Sequence, residues 1–135
     1  MDKLRMRSCG LAVIRVVVGI IFLMHGYQKL FKFGFHGVAG MFAHMGVPLP
    51  AVAAVVVTLV EFFGGLALIA GMGTRVAAIL LAIDMASAIF FVHAKNGFFN
   101  PMGIEFPMTL LASCICLMLA GAGSLSIDGI FNRKV

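Results

Sequence analysis

Apolar residues dominate four stretches of the chain, approximately 8–30, 51–70, 74–93 and 107–121, and polar residues gather between them. Each stretch is close to the ~20 residues that a helix rising ~1.5 Å per residue needs to cross ~30 Å of hydrocarbon, the last falling somewhat short. The runs are apolar all round and rich in Gly and Ala. They lack the short alternating segments of a barrel, so they predict helices. Between the first two runs, "FKFGFHGVAGMFAHMGVPLP" is long for a hairpin connection and rich in Phe, Met and Gly. It predicts a short amphipathic helix at the membrane surface. "GMGTR" is very short and predicts a tight antiparallel pair, with Gly71 or Gly73 closing one helix and Thr74 capping the next. "AKNGFFNPMGIEF" reads as a loop, and Pro107 suits the first turn of the last helix. The expected fold is an all-α integral membrane protein, an antiparallel four-transmembrane-helix bundle with a short interfacial helix between spans one and two. A single domain over 1–135 is expected.

Composition fixes the solvent. The chain is 62% apolar, has a mean hydropathy of +1.13 and is only 11% charged, against about 25% in an ordinary soluble domain. No soluble fold of this size hides so much apolar surface, so the surrounding partner is the lipid bilayer. The basic start "MDKLRMRSCG" precedes an apolar run too long for a signal peptide and without a small-x-small cleavage site, which reads as a retained span. In a four-span topology seven basic residues (Lys3, Arg5, Arg7, Arg15, Arg75, Arg133, Lys134) fall on one side and three (Lys29, Lys32, Lys95) on the other. Both termini are therefore expected in the cytoplasm. The net charge of +5 is a topology signal, and with no solvated basic face, nucleic acid is not an expected partner. Cys9, Cys114 and Cys116 are too few and too poorly spaced for a metal site or a redox pair. Cys114 and Cys116 point in opposite directions on a helix and read as buried free thiols.

Helical phase organises the polar residues. Arg15, Gly19, Phe22, His25, Gly26 and Lys29 form one stripe of the first span. Ala54, Thr58, Glu61, Gly64, Gly65 and Leu68 share a face of the second, which sets Glu61 among the smallest side chains. Glu105, Thr109, Ala112, Cys116 and Ala120 line up on the fourth, and these three faces are expected to meet inside the bundle. In the third span Asp84 lies nearly opposite a ridge of Ala78, Ala82 and Ala86, so either face could turn outward, and the ridge suits homo-oligomer contact. A carboxylate at the depth of Glu61 costs several kcal/mol unless it is paired or protonated. Arg15 is the expected partner, because a guanidinium stays ionised and can grip a carboxylate with two hydrogen bonds. Arg15, Glu61 and Asp84 are thus the buried polar candidates, beneath an outer layer of His25, Lys29, His93 and Glu105.

Read in order, Arg15, "HGYQKLF" at 25–31, "GVPLP" at 46–50 and "EFFGGLALIAGMGTRVAA" at 61–78 form a recognisable series. It continues through "HAKNGFF" at 93–99, Glu105 and "GAGSLSID" at 121–128. The series resembles the pattern of DoxX-like membrane proteins over nearly the whole chain. The resemblance implies a four-span protein of the bacterial or archaeal inner membrane. The family takes its name from a small subunit of a thiosulfate:quinone oxidoreductase, and other members are linked to membrane-associated redox complexes. It therefore points to a bound quinone and an oxidoreductase partner subunit.

Two classes of function follow. In the first, His25, Lys29, His93 and Glu105 supply hydrogen bonds to a quinone near the membrane boundary, and Glu61 and Asp84 relay protons. In the second, the bundle is a small-solute or proton-coupled transporter, or a non-catalytic scaffold, and the same polar residues act as interhelical glue. Met41, His44 and Met45 share a helical face soft enough for Cu(I), but Met-rich interfacial helices are common without metal and no metal site is expected.

Overall fold

Residues 1–132 are described in a computed structural model; Arg133 and Lys134, counted above toward orientation, lie outside them. Helix α1 spans Lys3–Tyr27 and opens on Asp2, whose carboxylate accepts the Arg5 amide at 2.8 Å. It runs through a π-helical segment, Gln28–Phe33, into α2, Gly34–Met45, with Gly34 at φ 70° marking the change of direction. Helix α3 spans Pro50–Ala70 and α4 spans Thr74–Ala88, the latter continuing as a second π-helical segment, Ile89–His93. Helix α5 covers Glu105–Ala120 and the short α6 covers Ile127–Asn132. Every regular element among the described residues is helical.

Three helical stretches, Lys3–Met45, Pro50–Ala70 and Thr74–Asn96, are long and apolar enough to cross a membrane, whereas Glu105–Ala120 is apolar but shorter. The connection between the first two runs contains the 12-residue helix α2, which packs along α3 and buries Val38 completely. Helices α1 and α3 approach each other closely, backbone to backbone. A Cβ at Gly26 would come within 2.4 Å of the Phe62 amide nitrogen, and one at Gly65 within 2.4 Å of that of Leu23. These contacts set the two helices antiparallel, with Gly26 level with Glu61 and Gly65 level with Leu23 and Gly19.

The hairpin between α3 and α4 is as short as expected. Gly71 and Gly73 both take left-handed φ angles, 69° and 59°, that favour glycine. Its cap departs from expectation. Thr74 does not close α4; the Asp128 carboxylate of α6 accepts the amides of Gly73 and Thr74 at 2.9 and 3.0 Å. An anion at a helix N-terminus satisfies donors left free by the missing preceding turn.

The core is a layer of Val18, Phe22, Leu68, Ala77, Ala78, Leu81, Leu110, Cys114 and Leu117. The expected inward face of α3 is inward: Ala54, Thr58, Glu61, Gly65 and Leu68 are buried. The expected face of α5 is not. Pro107, Leu110, Cys114 and Leu117 are buried, while Thr109, Ala112, Cys116 and Ala120 are exposed. The Thr109 and Ser113 hydroxyls donate to carbonyls one turn back, Glu105 O and Thr109 O, both at 2.9 Å. Polar groups satisfied by their own helix need no partner span, so bulk takes the core positions. Cys9, Cys114 and Cys116 are free thiols; Cys114 is buried as expected, but Cys116 is exposed, because two residues apart on a helix the two side chains point to opposite sides and only one can face the core. The alanine ridge of α4 is divided: Ala78 is fully buried within the chain, Ala82 packs on the core and Ala86 is exposed.

Candidate functional site

Helical side chains lean toward the N-terminus of their helix. In the π-helical continuation of α1 this carries Lys29 back toward the level of Gly26, and in the antiparallel α3 it carries Glu61 forward to meet it. The Lys29 Nζ–Glu61 Oε2 distance is 2.7 Å, with side chains 16% and 5% exposed. Asp84 of α4 is 9% exposed and lines the same cavity as Glu61 and Lys29. The two acids therefore face one ammonium, and the trio is electrically balanced when one proton is shared between them. This settles the open orientation of Asp84, which turns into the bundle.

The expected Arg15–Glu61 pair does not form. Arg15 leans the other way, toward the start of α1, and its Nη2 donates to Leu125 O at 2.8 Å. It is 3% exposed, packed against Gly71 and near Asp128. Its task is to bind the segment before α6 to the α3–α4 turn. Depth alone placed Arg15 and Glu61 within reach; the direction of the side chains separates them.

Above the ion trio lies a cavity of about 590 Å³. Its floor holds Lys29, Glu61 and Asp84, and its walls carry Phe33, Phe42, Phe91 and Phe106 with Met41, Met45, Met85 and Met102. His25, Gln28 and His93 add polar edges. His25 Nδ1 donates to Ile21 O at 2.8 Å and His93 Nδ1 to Met102 O at 3.0 Å. A carbonyl accepts only, so each neutral ring carries its proton on Nδ1 and keeps Nε2 as an acceptor. Both π-helical segments border the cavity, supplying Gln28, Lys29 and Phe33 from one and Phe91, Val92 and His93 from the other. Such widened turns recur at functional sites, because the extra residue per turn turns side chains off the regular helical track. Neither π segment carries a sequence signature.

Glu105 does not join this layer. Its Oε2 accepts the Asn100 amide at 2.8 Å and closes the loop before α5. Met41 and Met45 line the cavity, but His44, on the same helix, does not. No three His, Cys, Asp or Glu side chains gather for a metal among the described residues. A second cavity, about 520 Å³, lies at the opposite end of the bundle between the start of α4, the Gly121–Ser124 segment and α6.

The family model DoxX matches residues 10–94, the segment that holds Lys29, Glu61 and Asp84. The chain belongs to the DoxX family. It is 36% identical over 132 residues to an uncharacterized protein of Haemophilus influenzae, covering 95% of both chains. It is 34% identical over 127 residues to a Bacillus subtilis protein named "Putative oxidoreductase CatD", covering 93% of this chain and 90% of that one. Inner membrane protein YqjF of Escherichia coli is 30% identical over 135 residues, covering 96% and 98%. No solved structure matches. Apolar helices of spanning length and this membership make the chain an integral membrane protein of the DoxX family.

Proposed function

We propose that this DoxX-family protein crosses the inner membrane four times, with both termini cytoplasmic, and holds a quinone-class ring in the Lys29–Glu61–Asp84 cavity. Its role is that of an accessory or subunit of a membrane oxidoreductase complex. The cavity carries this reading. Its volume, about 590 Å³, falls in the ~300–1,000 Å³ of small-molecule sites, and its aromatic and methionine walls converge on few polar groups. By the basic-residue count the cavity opens toward the outer side, near the boundary where a lipid-soluble ring resides. The relative's printed name, an oxidoreductase, and the inner-membrane name of the second agree with it.

The protein's part is binding and proton placement. The Lys29 ammonium keeps N–H groups beyond the one given to Glu61 and can donate to a ring oxygen. Glu61 and Asp84 hold a proton at the cavity floor, and the Phe and Met walls exclude water. When bound, a quinone supplies a two-electron, two-proton couple at its ring oxygens, and the electrons are exchanged with the partner oxidoreductase. A held ligand fits better than a through-path, because Val18, Leu68, Leu81 and Leu117 fill the section between the two cavities.

Protein extracted gently into lipid nanodiscs from quinone-containing membranes is expected to carry a quinone-class molecule, identified by mass spectrometry. Protein that carries none, and takes up none when a short-chain quinone is added, contradicts the reading.

A further inference from the structure

The walls of the cavity are held with unequal strength. Between α1 and α3 the wall is backbone against backbone, at Gly26 with Phe62 and at Gly65 with Leu23. The 97–104 loop on the far side is tied down. His93 Nδ1 donates to Met102 O at 3.0 Å, and the Ile104 and Glu105 amides donate to Gly97 O and Phe98 O at 3.0 and 2.9 Å. Helix α2 is held differently. It supplies Met41, Phe42 and Met45 to the wall, yet Val38 is its one buried residue. It packs on α3 and on the π-helical segment before it. Among the described residues one hydrogen bond joins it to the opposite wall, from Lys95 Nζ to Met45 O, and at 3.4 Å that bond is longer than usual. Gly34 and Gly46, at the two ends of α2, take φ angles of 70° and 83°, and a Cβ on either would meet nothing within 4 Å. Unpacked glycines at both ends of a lightly seated element give it hinges.

We propose that α2 is a lid, turning on Gly34 and Gly46, and that the ligand enters sideways from the membrane between α2 and the 93–104 segment. Resting on the proposed cavity ligand, this adds the route by which that ligand arrives. The tied loop is the fixed side of the entrance and α2 the moving side. Opening gives up the Lys95 bond and the seat of Val38, while the Lys29–Glu61 pair on the floor stays closed. Met41 lines the cavity and is still 36% exposed, so the chamber meets the surface beside it. A ring already dissolved in lipid reaches this apolar edge without crossing water.

The test is order of addition with the lid bound shut. His44→Cys/Lys95→Cys, in a Cys9→Ser/Cys116→Ser background, places thiols at two exposed positions that do not line the cavity. A reducible bis-thiosulfonate linker joins them. In nanodiscs, decyl-benzoquinone added after linking should be taken up about tenfold more slowly than by the same protein unlinked. Quinone loaded before linking should be retained, and cleaving the linker, then removing the reductant, should restore both rates. In an otherwise unchanged chain Lys95→Met should speed uptake about twofold, the weight of one long, exposed hydrogen bond. Uptake as fast in the linked protein as in the unlinked one overturns the lid and leaves the proposed cavity ligand standing. A linked protein that neither takes up nor retains quinone also overturns the lid, since a distorted site then accounts for the loss. No uptake by the unlinked protein overturns both.

Discussion

Lys29→Met is expected to destabilise the protein by about 3 kcal/mol, because removing one partner of a buried ion pair strands the other. Glu61 is the more deeply buried member, at 5% side-chain exposure against 16% for Lys29. Glu61→Leu is accordingly expected to cost less, about 1–2 kcal/mol: Lys29 can turn to Asp84 or carry its charge outward along its flexible stem. The double variant Lys29→Met/Glu61→Leu removes both charges and should recover most of the loss, giving a coupling energy that neither single change predicts. Unfolding midpoints in matched detergent micelles report all four proteins. Additive losses would mean that the pair contributes nothing beyond its separate side chains.

Gly65→Ala is the second large effect, and its sign is diagnostic. On an open helix face the change stabilises by about 1 kcal/mol, since alanine is the better helix former. At Gly65 the new Cβ would lie 2.4 Å from the Leu23 amide nitrogen and 2.7 Å from Gly19 O, both backbone atoms that cannot rotate away. Helices α1 and α3 would have to separate, at a cost of about 2–3 kcal/mol. Gly40→Ala serves as the control, because a Cβ there meets nothing within 4 Å. It should be neutral or slightly stabilising in the same unfolding assay. A Gly65 variant as stable as the control would remove the close approach that brings Lys29 and Glu61 to one level.

Much of this arrangement was written in hydrophobic phase. The buried face of α3 is the one its small residues predict, and the two-glycine hairpin sets Glu61 and Asp84 at similar depth. His25, Lys29 and His93 converge as their common depth suggests. The partner of Glu61 was harder to read, because depth along a span ignores the lean of a side chain. Pairing Gly19 with Gly65 would have supplied the register and pointed to Lys29. The face of α5 was misleading for another reason: Thr109 and Ser113 look like residues in need of a neighbour, but carbonyls of their own helix satisfy them. The Phe-, Met- and Gly-rich connection predicts a short helix, but not that α2 packs along α3 with Val38 buried. Capping by Asp128 is a contact across 54 residues that local rules cannot see.

Among the described residues two cavities of similar size lie at opposite ends, and the Lys29–Glu61–Asp84 trio lines one of them. Photoaffinity labelling with an azido-quinone in native membranes, followed by peptide mapping, separates them most directly. Adducts are expected within residues 25–45, 85–93 and 101–110, which wall the Lys29–Glu61–Asp84 cavity. Adducts confined to residues 73–76 and 120–132, around the Asp128 cap, would contradict it.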